Sequence, residues 1–249
     1  MTGATSAPSR DPSSGLVRLV VVSAAVPAVI LGAVGLLGGI VVAVVVFVVV
    51  AVLAGLGAAL LWRGAGTRLR ARVGGRPADP RTDARLLNLI DGLCTAAGLR
   101  PPDVRVIDSP GLNALVVGTD PAASTLAVTT GLLAELSRIE LEGVLADELL
   151  AIRRRRMLPA TLAASIPPPL SRLAGGTTEL DEREGDLAAV GLTRYPPGLV
   201  GALQKMAAKG TAVDTPASLA PLWFADPQSG HTSTGRVSLD QRIEALEDL

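Results

Sequence analysis

The sequence is nearly without histidine and cysteine, and it has no excess of either charge. His231 is the single histidine, which excludes a His-rich metal site and limits His-dependent triads. Cys94 is the single cysteine, so no internal disulfide can form and nothing requires an oxidising compartment. Cys94 lies on an apolar helical stretch between Leu93 and Ala97, where a buried structural thiol is expected. The 23 basic and 23 acidic residues cancel, so no global field points to nucleic acid as a partner.

Charge is also missing locally. From Arg18 to Arg63 there are 44 consecutive positions without a charged side chain. One helix of that length would measure about 66 Å at 1.5 Å per residue, against a hydrocarbon core of about 30 Å. Two passes fit, with the turn at Gly35–Gly39, so residues 16–63 are read as a transmembrane hairpin with helices near 19–36 and 40–61. A cleaved signal peptide is excluded by the length of the run. Arg63, Arg68, Arg70, Arg72, Arg76, Arg81 and Arg85 follow, opposed only by Asp79 and Asp83. Positive charge beside a span stays cytoplasmic, so both termini and the soluble domain are expected on the cytoplasmic side of the cell membrane. Residues 1–15, rich in Ser, Pro and Gly, read as a disordered tail, and 64–82 as a basic linker.

The remainder, 83–249, alternates helix and strand signals. An apolar stripe of Leu86, Leu87, Leu89, Ile90, Leu93 and Ala97 ends at Gly98, a good helix stop. Val104–Ile107, Asn113–Gly118 and Thr125–Thr130 read as short strands, and three strands between helices predict an α+β domain, mainly helical, with a small sheet. Ser137-Arg138-Ile139-Glu140 is a capping box opening a helix that carries Leu141, Val144, Leu145, Leu149 and Ile152 and ends in Arg153–Arg156. A loop or short helix over 157–178, a helix near 180–192, another from Pro196 to Lys209, an irregular stretch over 210–237 and a final capping box at Ser238-Leu239-Asp240-Gln241 complete the chain. The arginine run suits either a solvated, dipole-favoured helix end or anionic headgroups.

The order of these pieces resembles the HtpX-like membrane zinc metalloproteases, relatives of the CAAX prenyl proteases. The resemblance rests on Val104–Gly118, Val128–Leu133, Leu136–Glu148, Glu182–Asp186, Ala202–Met206, Leu222–Pro227 and Ser233-Thr234 before Arg242-Ile243. In that family the capped helix carries H-E-x-x-H, because histidines at i and i+4 share one face and hold zinc while the glutamate activates the bound water. The matching stretch here is Asp147-Glu148-Leu149-Leu150-Ala151. The resemblance therefore implies Glu148 as the general-base position, Asp147 and Ala151 as altered ligand positions, Glu182 as the third ligand and Asp186 as its supporting aspartate. The late Ser-Thr-His-Pro stretch reads Ser233-Thr234-Gly235-Arg236, and Arg156 stands where the family has an acidic residue.

These departures imply a member without zinc, although zinc would be the cofactor if the family's activity were retained. Two carboxylates without imidazole suit hard cations better, and carboxylates left without a metal are expected to pair with nearby arginines. The expected role is an inactive pseudoprotease that binds an extended peptide along the edge strand Asn113-Ala114-Leu115-Val116, or regulates a membrane protease. The alternative is an active endopeptidase in membrane protein quality control with a carboxylate metal site.

Overall fold

The computed structural model describes residues 39, 41–42, 44–53, 55–57, 69–165, 179–228 and 236–248. The first expected span, the turn at Gly35–Gly38, the tail 1–15 and His231 lie outside the described residues. Described positions among 39–57 are helical, with Val41, Val45, Phe47, Val48, Val52 and Leu53 exposed. No helix of the described residues is long and apolar enough to cross a membrane.

The described residues from 69 onward form a mixed α+β domain, mostly helical, with one four-stranded sheet among them. Its strands are β1 (Arg76–Pro77), β2 (Asp103–Ile107), β3 (Ala114–Val117) and β4 (Thr125–Thr129), in the order β1-β2-β4-β3. β2 and β4 run parallel; β1 with β2 and β3 with β4 are antiparallel. The helices are α1 (Ala84–Ala97), α2 (Thr130–Glu135), α3 (Arg138–Arg153), α4 (Met157–Ser165), α5 (Glu179–Thr193), α6 (Pro196–Lys209) and α7 (Leu239–Glu247).

Local chemistry accounts for the helix ends. Gly98 stops α1 in the left-handed conformation, with φ 65°, which glycine adopts without a Cβ clash. Both expected capping boxes form, Ser137 with Glu140 and Ser238 with Gln241. The thiol of Cys94 is buried on α1, and burial pushes it up to about 11, in keeping with a structural role.

Alternation along β3 and β4 divides the interior. Ala114, Val116, Leu126 and Val128 face the larger core with α1 and α3, while Leu115, Val117 and Ala127 face a second cluster with Leu69, Val73, Ala160 and Trp223. Both strands are thus covered on both faces. The stretch 64–82, expected as a linker, is corrected in its described part. Leu69 is fully buried, residues 69–73 are helical, and β1 pairs with β2. A two-residue strand containing proline and a single helical turn have no periodicity to read, so only tertiary pairing reveals them. α2 was missed for the same reason, being six residues long.

α3 is the axis of the domain, packed against α1, α5, α6 and β3. Its crossing with α6 is close because two glycines face the partner helix. A Cβ on Gly143 would stand 3.0 Å from the Leu199 backbone, and one on Gly198 2.9 Å from Ile139. Leu141, Val144, Leu145 and Leu149 are fully buried on α3, and so, almost entirely, are Asp147 and Glu148. Two carboxylates on a buried helix face demand an explanation.

Candidate functional site: a carboxylate centre filled by guanidinium groups

Asp147, Glu148, Ala151 and Glu182 line one small cavity, together with Val116, Arg156, Trp223, Phe224, Arg236 and Arg242. α3 supplies the first three, α5 supplies Glu182 with Asp186 one turn on, and β3 supplies Val116. The residues that the resemblance singled out thus converge, and three arginines converge with them.

Each arginine has its own carboxylate. Arg156 lies just beyond α3, and the left-handed residue before it, Arg155 at φ 57°, turns the chain back. The Nη2 of Arg156 consequently donates to Asp147 Oδ1 at 2.7 Å. Such a conformation in a non-glycine residue costs on the order of 1 kcal/mol, offset here by a partly buried ion pair. The arginine run is therefore divided in its roles: Arg153, Arg154 and Arg155 are exposed, while Arg156 turns inward. Arg236 donates from Nε to Glu182 Oε1 at 2.6 Å, and the Val237 amide donates to the other carboxylate oxygen at 2.9 Å. Arg242 grips Asp186 bidentately at 2.8 and 2.6 Å with both side chains almost fully buried. Its guanidinium carbon also lies 4.3 Å from the centroid of the Phe224 ring. Burial pushes the Asp186 carboxyl upward, but the two charge-assisted bonds from Arg242 hold it ionised as one half of a pair.

Gly185 makes the first pair possible. A Cβ there would fall 2.3 Å from Asp147 Oδ1 and 2.5 Å from the Arg156 guanidinium. Gly185→Ala is expected to push the pair apart and destabilise the domain by about 1–3 kcal/mol, read from the shift in the urea midpoint. An unchanged midpoint would mean that the Asp147–Arg156 pair moves aside freely.

Glu148 has no arginine of its own. It is 5% exposed and makes no hydrogen bond among the described residues. Burial, reinforced by the Asp147 charge, raises its carboxyl to about 8 against the opposing pull of Arg156, Arg236 and Arg242. The raised value favours the protonated form of the Glu148 carboxyl around neutral pH. The sign of its linkage to stability follows. Below the ordinary value of 4.5 both folded and unfolded chains hold the proton, whereas between there and about 8 only the folded chain does. Stability should fall as pH rises through that window and level off above it. A Glu148→Gln variant should lack this decline; urea unfolding at several pH values compares the two, and parallel curves would show that Glu148 ionises normally.

The donor set does not suit zinc. Asp147 and Glu182 already accept from guanidinium groups, and the methyl group of Ala151 offers no lone pair. Among the described residues no group of three His, Cys, Asp or Glu side chains is placed to hold a metal ion.

The edge strand is not open along its whole length. Asn113, Ala114, Leu115 and Val116 are all buried. Phe224 donates its amide to Ala114 O at 2.7 Å, and Leu115 bridges to Trp223, so residues 223–225 form a strap along the outer edge of β3. The Asn113 side chain fastens this strap from both ends of its amide. Nδ2 donates to Thr211 O at 3.0 Å and Ala225 O at 2.9 Å, and Oδ1 accepts from Ala225 N at 3.1 Å. Arg236 and Arg242 hold it from the other side through the carbonyls of Trp223 and Phe224. The expected peptide edge is therefore corrected: Asn113 to Leu115 serve the strap, and Val116 is the residue of the four that reaches the cavity. Sequence reasoning missed the strap, Gly185 and the structural role of Arg236. Its one hint was that Arg236 closes the stretch where the resemblance lost a histidine.

Residues 80–174 match the model of peptidase family M48. The chain is similar to a protease HtpX homolog of Dictyoglomus thermophilum, 31% identical over 189 residues, which are 59% of this chain and 62% of that protein. A protease HtpX homolog of Dictyoglomus turgidum is 31% identical over 200 residues, 64% of this chain and 66% of the relative. One from Acidiphilium cryptum is 44% identical over 96 residues, 39% of this chain and 33% of the relative. This chain is an HtpX-like member of peptidase family M48. The match spans about three-fifths of the length of the first relative. No solved structure matches the chain.

In this HtpX-like chain α3 and α5 bring together three carboxylate–guanidinium pairs and the buried Glu148 carboxyl.

Proposed function

We propose that this chain is a membrane-anchored HtpX-like M48 homologue that binds an extended peptide without hydrolysing it, serving as an adaptor or as a regulator of a membrane protease. One observation carries the reading: the carboxylates at the metal-ligand positions are neutralised by Arg156 and Arg236, so the centre is charge-balanced through its own side chains. Glu148, the general-base position, then has no metal-bound water to activate and is itself protonated at neutral pH. The charge-free run from 19 to 62, with its exposed helical valines, supports the membrane anchor. Arginines at 63–85 support a cytoplasmic domain and cytoplasmic termini.

The test uses full-length protein in detergent with fluorescently labelled, capped extended peptides. Expected are saturable binding by anisotropy, no cleavage by mass spectrometry, and no gain in cleavage with zinc, magnesium or calcium. Metal-dependent cleavage abolished by Glu148→Gln would overturn the reading in favour of an active endopeptidase with a carboxylate metal site. Labelling of a cysteine introduced at Ser13 by an impermeant reagent in intact cells would overturn the topology.

A further inference from the structure

Beyond the three ion pairs, two residues that line the cavity carry polar groups of interest, Arg236 and Glu148. Arg236 uses Nε on Glu182 and Nη2 on the carbonyls of Trp223 and Phe224, but its Nη1 is buried without a hydrogen-bond partner. The Glu148 carboxyl, 5% exposed, is likewise without a hydrogen bond among the described residues. Both line the same cavity of about 60 Å³, and Val116 of β3 borders it too. A buried donor left unmatched costs about 1–3 kcal/mol, so a group that satisfies it recovers binding energy.

The charges decide what kind of group. Asp147 with Arg156, Glu182 with Arg236 and Asp186 with Arg242 each sum to zero. An added anion would face the Asp147 and Glu182 carboxylates as well as three arginines, with Asp186 behind Arg242, and would lose its hydration without a net positive site to replace it. A neutral group presenting one acceptor and one donor meets no such penalty. A secondary amide has this composition, since its carbonyl accepts from Arg236 Nη1 and its N–H donates to a Glu148 oxygen. The cavity volume suits one such group, and the apolar walls of Val116, Ala151, Met157, Ala160 and Trp223 suit its flanking carbons.

We propose that Arg236 Nη1 and Glu148 together form a docking site for one neutral amide group of an extended peptide entering past Val116. The inference rests on the peptide-binding reading above and adds the point of engagement. The guanidinium takes the carbonyl oxygen and the carboxyl group takes the amide hydrogen; no bond is made or broken.

Two measurements on the full-length protein in detergent separate this site from that reading. In the first, arginine side-chain nitrogens are labelled and followed by NMR while N-methylacetamide or acetate is added. The expected result is a saturable shift of the Arg236 guanidinium resonances with N-methylacetamide and none with acetate. A shift with acetate alone would make the cavity an anion site, and no shift with either would make it a place for water; each overturns the proposal. In the second, a capped heptapeptide is titrated into wild type and Arg236→Lys, which keeps the charge but not Nη1. A charge-assisted hydrogen bond supports an expected weakening of about tenfold or more. Peptide binding of equal strength in both proteins, with a silent Arg236 resonance, would sink the docking site and leave the peptide-binding reading standing. An amide-specific shift of Arg236 in a protein that binds no peptide would do the reverse.

Discussion

Arg242→Met is expected to destabilise the folded domain by about 3–5 kcal/mol, because it strips a buried carboxylate of its only full counter-charge. Asp186 and Arg242 have side-chain exposures of 4% and 3%, so solvent cannot substitute for either. The guanidinium also donates to Phe224 O at 3.1 Å and lies against the Phe224 ring, so the strap on β3 loses an anchor at the same time. Asp186→Asn combined with Arg242→Met should recover much of the loss, since the amide needs no counter-ion. Urea unfolding of the single and double variants gives the coupling directly. A single variant as stable as wild type would mean that Asp186 is protonated in the fold and that the pair is not ionic. A double variant no better than the single would place the cost in the strap contacts instead.

The second large effect concerns zinc. Asp147→His with Ala151→His places two imidazoles at i and i+4, but the structure predicts little gain from these changes alone. Glu182 would remain held by Arg236 and by the Val237 amide, and Arg156 would keep its positive charge at the cavity without the Asp147 carboxylate to offset it. Adding Arg156→Met and Arg236→Ser should release Glu182 and remove both positive charges, leaving two imidazoles, one carboxylate and a position for water. The four-fold variant is expected to hold one zinc per chain by elemental analysis. At a free zinc concentration of about 100 times Kd it should be stabilised by about 2.7 kcal/mol. Zinc binding by the two-fold variant as tight as that of the four-fold one would show that the arginines do not guard the site. A folded four-fold variant without zinc would show that Glu182 does not face the histidine positions.

Much of the scaffold was legible because its signals are short-range. A capping box is set by side chains three residues apart, so Ser137–Glu140 and Ser238–Gln241 could be read from the chain alone. The stripe from Leu141 to Ile152 carried the period of α3, and Gly98 marked the end of α1. Glu182 and Asp186 are four apart on α5, and Glu182 lines the cavity that Ala151 also lines. β1, with two residues, and α2, with six, are shorter than the windows over which periodicity can be recognised, and both exist because neighbouring elements hold them.

What the sequence by itself determined is therefore the elements longer than two turns and the identity of the carboxylates Asp147, Glu148, Glu182 and Asp186. The choice of partners belonged to the tertiary structure. Arg156 is nine residues from Asp147, Arg236 is 54 from Glu182 and Arg242 is 56 from Asp186. No local preference selects one arginine for one carboxylate over such separations. The selection comes from burial, which makes any unpaired charge costly, and from the space left by Gly185, which decides where one guanidinium can lie. The strap along β3 was decided in the same way, by an asparagine side chain and two arginines reaching backbone groups up to 112 residues distant, contacts that exist only once the sheet has formed.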